Sequence, residues 1–266
     1  MSEALGDDLS AETIVAALTT RWLGRPTHFR RVTISTSDEL KHLAALGANE
    51  GTLVIADEQL CGRGRMERRW LAPARSSLLF SLLFRPTFLS PDRAQFVTMA
   101  CALAILDAVR EVTGLQPGLK WPNDLQLHGR KLAGILTELE VSTEGKLDWI
   151  VLGVGLNVNV DFRELPELAD TAVSLSSVAK HPVSRLALLV SLLFHLERRY
   201  EMLRTGHSPT CEWAEHLLSL GQEVTVKSPE GTFSGVAEAV DELGALLLRL
   251  PDGRCMCILA GDVTLR

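Results

Sequence analysis

The sequence is poor in the features that usually betray a function. Its five cysteines, Cys61, Cys101, Cys211, Cys255 and Cys257, are odd in number and contain no CxxC pair. That speaks against a zinc ribbon or a disulfide framework and predicts a reduced, cytoplasmic setting. Positive charge is in deficit: 27 Lys and Arg against 33 Asp and Glu leave −6. A general nucleic-acid binder would need a basic face. The start, MSEALGDDLS, is acidic and has no apolar stretch, so it does not read as a signal peptide. The apolar run LALLVSLLF is too short to span a bilayer and runs straight into charge, so no membrane association is expected. There is no HExxH, no P-loop, no GxSxG, no internal repeat and no low-complexity tract, and the seven histidines are scattered without metal-ligand spacing.

What is present suits one large domain with a small appendage. The 266 residues are 46% hydrophobic, ample for a core. A helical pattern from Leu9 to about Leu23, with Ser10 as N-cap, ends at Gly24-Arg25-Pro26. This leader, residues 1–26, is too short for a complete winged-helix domain, and no DNA binding is expected. HFRRVTISTSDEL reads as a strand turning into a helix that ends near Gly47. GTLVIADEQ and SSLLFSLLF read as strands, the second apolar on both faces and therefore central. Ser90 and Pro91 open a long predicted helix reaching Thr113 and Gly114. Three strand-like pieces follow, LKWPNDLQL, KLAGILTELEV and DWIVLGVGLNVNV, the first two joined by a turn at His128-Gly129-Arg130. Leu186, Leu189, Leu193, Leu196, Tyr200 and Leu203 give one stripe of a second long helix beginning near Ser184. After Leu220 the period changes to two, with SPEG, DELG and PDG as turns. Residues 27–220 thus read as an α+β domain, a mixed or antiparallel sheet covered by helices, and 221–266 as a small β module that must lean on it. Strands joined by short turns argue against a doubly wound parallel sheet.

Four stretches carry candidate chemistry. In CGRGRMERRW, Arg63, Arg65, Arg68 and Arg69 face one acid, Glu67, while Gly62 and Gly64 free the backbone to approach a ligand. Arginine forks match phosphate and carboxylate oxygens; a merely solvated basic loop has the same composition. KWPNDL gathers Lys120, Asn123 and Asp124 at a strand end, where a carboxylate and an amide suit Mg²⁺ carrying a nucleotide, or where the segment is an ordinary turn. In KLAGIL, Lys131 heads an apolar strand; a regular strand puts it on the face of Ala133 and Ile135, with Gly134 on the other. Such a lysine needs an anionic partner if it points inward, or it snorkels from an edge. GVGLN, Gly153 to Asn157, is not followed by a helix. It therefore reads as a close backbone approach to a ligand, or a bulge, rather than a dinucleotide fingerprint.

In this order, GRGRMERRW, KWPNDL, KLAGIL, GVGLN and the closing GDVTLR resemble the biotin protein ligase family over roughly residues 27–266, in the form without a DNA-binding repressor domain. The resemblance implies a class II synthetase-like catalytic fold with a C-terminal SH3-like β-barrel. It implies a two-step reaction: biotin and MgATP give biotinyl-5′-AMP and pyrophosphate, and a lysine of a biotin carboxyl carrier domain then takes the acyl group. By motif position, Ser35, Thr36, Ser37, Gln59, Arg63, Gly64, Arg65, Lys131, Gly134 and Gly155 would hold biotin. Arg65, Arg68, Trp70, Lys120, Asn123, Asp124, Lys131 and Asn157 would hold ATP, with Asp124 meeting Mg²⁺ through the nucleotide. Lys131, Arg65 and Arg63 would be catalytic, and the glycine-rich loop would close over the adenylate. The resemblance leaves room for a homodimer. The alternatives are a lipoate or octanoate ligase or transferase, a non-catalytic biotin or nucleotide sensor, and an RNA-binding module, the last disfavoured by the acid excess. The chain departs from the family at Ile34, Ser37 and Glu67. A glutamate at 67 predicts weaker retention of the intermediate or a different loop closure, so that restoring glycine there slows release of biotinyl-AMP.

Overall fold

The computed structural model describes residues 9–66 and 68–265, so the expectation for Glu67 lies outside the described residues. The main sheet contains β1 (Thr27–Thr33), β2 (Leu53–Gln59), β5 (Ser77–Phe84), β6 (Gly118–Lys120), β7 (Asp124–Leu127), β8 (Arg130–Val141) and β9 (Leu147–Asn157). Two short strands, β3 (Gly62–Arg63) and β4 (Arg69–Trp70), form a separate ribbon. The order across the sheet is β1-β2-β5-β9-β8-β7-β6. Only β1 and β2 are parallel; the other neighbours are antiparallel. The class is α+β.

Helices cover both faces. On one, α2 (Thr36–Ala45) packs on β2, β5 and β9. Ser35 caps it by accepting from the Asp38 N–H, and Asp38 and Glu39 in the first turn favour the positive end of its dipole. Leu40 and Ala44 bury against Val54, Leu83 and Val151. On the other face, α3 (Gln95–Thr113) and α5 (Arg185–Arg204) pack on each other and on the sheet. The stripe Leu189, Leu193, Leu196, Tyr200 and Leu203 is buried as its spacing predicts. α2 is short, so the sheet beyond its N-terminus is left uncovered on that side. The cavity described below lies there.

Three predicted elements differ. The first helix, α1 (Ala11–Ala17), is capped by Ser10 but stops before Leu18 instead of reaching Leu23. The Glu197 carboxylate on α5 accepts from the N–H groups of Arg21, Trp22 and Leu23 at 2.9–3.1 Å, replacing helical bonds. Ser90 and Pro91 open only a 3₁₀ turn, Pro91–Arg93, and Ser90 makes no side-chain cap; α3 begins afterwards and ends on Gly114, φ 72°. LKWPNDLQL is not one strand, because Trp121–Asn123 turns β6 into β7. The His128-Gly129 turn is as predicted, with φ of 52° and 73°.

Two short helices complete the main part, α4 (Leu175–Ala179) and α6 (Thr210–Glu215). The remaining strands are β10 (Glu223–Ser228), β11 (Gly231–Val240), β12 (Leu246–Arg249), β13 (Cys255–Ile258) and β14 (Asp262–Leu265). They form one antiparallel sheet in the order β13-β12-β11-β10-β14. Among the described residues no ladder joins β13 to β14, so the expected barrel is not closed. Val224, Val226, Leu246, Leu248 and Val263 bury into the same cluster as the main domain. No helix among the described residues is long and apolar enough to cross a membrane.

Candidate active site

A cavity of about 590 Å³ lies beside the N-terminus of α2. The middle of the sheet is its floor, the β3–β4 ribbon its cover, and the turn between β6 and β7 one wall. Every residue singled out in the sequence for biotin or ATP lines it, from Ser35 on α2 to Asn157 at the end of β9.

One end is a cluster of neutral hydroxyls. The Gln59 Oε1 accepts from the Thr36 N–H at 2.8 Å and from its hydroxyl at 3.1 Å. Ser81 Oγ lies 2.8 Å from Thr36 Oγ1 and 3.0 Å from Ser37 Oγ. Thr36, Ser37 and Ser81 are buried, so their hydroxyls need partners within the cluster, and the half-buried Gln59 supplies one. Ser81 was missed in the sequence. Its signal was a single hydroxyl in the otherwise apolar SLLFSLLF. Ser37, a departure from the family pattern, is part of this cluster, whereas Ile34 is 63% exposed.

The other end is cationic, and each cation is held. Lys131 Nζ donates to both Asp124 oxygens at 2.8 Å and lies 5.7 Å from the Trp70 ring centre. Arg65 donates to Asn123 Oδ1 at 3.0 Å. Burial, the largest influence, pulls the Arg65 guanidinium below its ordinary value, although an arginine remains charged. Arg68 and Lys120 both meet Asp262, at 2.6 and 3.1 Å. Burial pushes Asp262 upward, but Arg68 and Lys120 together outweigh it and hold the carboxyl below the usual range. Asp262 comes from the small β module, and nothing in GDVTLR marked it beyond an acid after a glycine. Arg63 is engaged by Asp38 and Glu138, and Arg69 donates to the Leu60 carbonyl at 3.3 Å.

The placement of Lys131 corrects the regular-strand reading. Asp124 pairs with Gly134 and Leu125 with Ala133, but Gln126 pairs with Lys131, which leaves Leu132 as an extra residue. This bulge moves Lys131 from the face of Ala133 to that of Gly134 and Asp124, while Leu132 and Ala133 are both buried. The chain at 171–173 closes this side: the Lys131 N–H donates to the Thr171 carbonyl at 2.8 Å, and the Val173 N–H donates to the Lys131 carbonyl at 2.9 Å.

The glycines of the floor make room for two side chains. A Cβ on Gly155 would fall 2.4 Å from the Trp70 ring, and one on Gly153 would fall 2.5 Å from Ser37 Oγ. Trp70 Nε1 and Ser77 Oγ are buried with no partner among the described residues. No group of three or more His, Cys, Asp or Glu that could hold a metal occurs among the described residues. With both Asp124 oxygens on Lys131 and Asp262 shared by two cations, the donor set does not build a resident metal centre.

The model of the Biotin/lipoate A/B protein ligase family matches residues 29–157, and that of the Biotin protein ligase C terminal domain matches residues 219–266. The chain is 35% identical over 248 residues to the Bifunctional ligase/repressor BirA of Bacillus subtilis, covering 92% of this chain and 76% of that protein. It is 35% identical over 236 residues to the Biotin--[acetyl-CoA-carboxylase] ligase of Mycobacterium tuberculosis, covering 86% and 85%. Among solved structures it superposes on a biotin protein ligase from Aquifex aeolicus in complex with biotin and ATP. The TM-score is 0.76 and the identity 29%, over 90% of this chain and 98% of that one.

Proposed function

The chain belongs to the biotin protein ligase family, and from that premise we propose that its cavity activates biotin with ATP and passes the acyl group to a lysine of a carboxylase carrier domain. The observation that carries this reading is the polarity of this cavity. A neutral hydroxyl pocket lies at one end, a cluster of lysine and arginine at the other, and a glycine floor runs beneath Trp70 between them. In the first step a biotin carboxylate oxygen attacks the α-phosphorus of ATP. The new P–O bond forms as the α–β bridge breaks, and pyrophosphate leaves. Two anions must meet, so cations fixed in advance offset their repulsion, more strongly as water is excluded. In the second step the neutral amine of the acceptor lysine attacks the acyl carbon and AMP departs.

The neutral pocket of Ser35, Thr36, Ser37 and Gln59, backed by Ser81, suits the ureido ring, which both donates and accepts hydrogen bonds. Lys131 stands where the carboxylate and the α-phosphate would meet, and it exchanges Asp124 for them. Arg65 and Arg68, on the cover, and Lys120 and Asn123, on the wall, face the nucleotide, with Asn157 at the end of the floor. Mg²⁺ enters as part of the MgATP substrate and screens the departing pyrophosphate. Residues 27–220 hold the chemistry, and residues 221–266 complete the wall through Asp262.

The test is labelled-biotin transfer to a carrier domain together with biotin-dependent ATP–pyrophosphate exchange, for wild type and Lys131→Ala. Loss of the cation should cut exchange by about 100- to 1,000-fold. Exchange driven by lipoate but not by biotin would refute the substrate, and full exchange in Lys131→Ala would refute the role of the lysine.

A further inference from the structure

The arginine nearest the root of the loop is tied differently from those at its tip. Arg63 lies on β3, opposite Arg69 on β4. Its Nη2 donates to Asp38 of α2 and, at 3.0–3.1 Å, to both oxygens of Glu138 on β8. Lys41, one turn along α2, meets the same two acids, Asp38 at 2.9 Å and Glu138 at 2.8 Å. The four side chains therefore form a closed ring of alternating charge, Asp38–Arg63–Glu138–Lys41. Its members are 26–45% exposed. Burial pulls the Lys41 ammonium down, but Glu138 and Asp38 outweigh it and raise it above its ordinary range.

The ring joins three elements that the reaction needs in register. α2 begins at the hydroxyl pocket, β8 carries Lys131 and Gly134, and the β3–β4 ribbon carries the cover. Beyond Arg63 the cover is held at Arg65 by Asn123 and at Arg68 by Asp262, contacts that a phosphate would replace. Asp38 and Glu138, unlike Asn123 and Asp262, do not line the cavity, so the acids that hold Arg63 stand outside the space a phosphate would enter.

We propose that Asp38 and Glu138 are positioning residues: by gripping Arg63 they fix the root of the arginine loop to α2 and β8, so that only its tip moves when an adenylate enters or leaves. This rests on the ligase reading for its effect on the reaction, but the grip itself is a property of the ligand-free chain. Exposed single ion pairs contribute little, whereas closed networks contribute more and weaken with salt.

The experiment uses the full chain carrying Glu138→Ala, Asp38→Ala or the milder Glu138→Gln, each with a urea midpoint to show that it is folded. Two readouts are taken. Trypsin cleavage within residues 63–69 of the ligand-free chain, located by mass spectrometry, should be about tenfold faster in both alanine variants, and Glu138→Gln should fall between them and wild type. Dissociation of preformed biotinyl-AMP should accelerate by a similar factor, and 0.5 M salt should bring the wild type toward the variants. Folded alanine variants with wild-type cleavage and wild-type release would overturn the proposal. Faster cleavage in the alanine variants, with a wild type that shows no biotin-dependent exchange, would uphold the grip and refute the ligase reading instead.

Discussion

Gly155→Ala separates the geometry of the floor from the stability of the fold. Gly155 sits in β9 and does not have a positive φ, so alanine fits its backbone. The added carbon would lie 2.4, 2.7 and 2.8 Å from Cε2, Cδ2 and Cζ2 of Trp70. Carbon atoms settle at about 3.5–4.0 Å, so the indole must retreat by about 1 Å. It has room to do so, because Trp70 is half-buried and belongs to the two-residue strand β4, not to the main sheet. Replacing glycine in a strand also removes roughly 0.5–1 kcal/mol of backbone entropy cost. The two effects on stability oppose each other, and the urea midpoint should hardly move. The reaction has no such compensation. Trp70 lies beside Lys131, and a displacement of about 1 Å at a reacting centre costs about 100-fold in rate. The assay is kcat/KM for biotin-dependent ATP–pyrophosphate exchange, with the urea midpoint measured on the same preparation. Gly134→Ala provides the scale: its Cβ would approach Trp70 Cζ3 and Lys131 Nζ at 3.2 Å, a milder conflict, and should cost about tenfold. If Gly155→Ala retains kcat/KM within about twofold of wild type, the indole does not define the floor and the reasoning fails.

Two further outcomes follow from ionised groups. Asp262 has its folded pKa depressed, so its hold on Arg68 and Lys120 is complete above the ordinary aspartate value of about 3.9 and is lost as pH falls through the lower folded value. Hydrogen-exchange protection of residues 64–66 and 68 should drop in that acid window in wild type and be low at every pH in Asp262→Asn; equal protection in the two would contradict the contact. On the opposite face of the sheet, Arg185 is 1% exposed and donates to Asp57 at 2.8 Å. Arg185→Ala would remove the close partner of a buried carboxylate and leave it Arg75 at 3.8 Å; it should lower stability by up to about 3–5 kcal/mol in urea unfolding, and a loss below about 1 kcal/mol would show that the site admits water.

Periodicity made the long elements legible. The stripe of α5, the apolar run of β5 and the two-residue period after Leu220 are local patterns, and each became the expected element. Motif order made the members of the cavity legible, because glycines, lysines and arginines at those spacings have few other uses. Long-range contacts were not legible. α1 stops early because a carboxylate on α5 satisfies the backbone of residues 21–23. Lys131 faces Asp124 because one residue bulges in β8, and a bulge leaves no mark in KLAGIL that a count of alternation would find. The partners of the arginines were also hidden: Asp38, Glu138 and Asp262 lie 25, 75 and 194 positions from their guanidinium groups.

That last separation bears on how the two parts of the chain cooperate. The β module is too small to bury much by itself, and its apolar residues join the core of the main domain. Its attachment runs through the same segment that forms the wall of the cavity. Trp121, inside KWPND, is 1% exposed and donates its indole N–H to the Gly244 carbonyl at 2.9 Å. The neighbouring Leu119 exchanges backbone bonds with His216 and Leu218, in the chain that leads into the module. Lys120, between them, is bound to Asp262. Neighbouring residues of one short segment therefore serve different ends: Trp121 docks the module and Leu119 holds the chain that leads into it, while Lys120 and Asn123 face the cavity. A shift of the module would move the wall with it, and through Asp262 it would also move Arg68 on the cover. Wall and cover are thus referenced to the same small body through one carboxylate, Asp262.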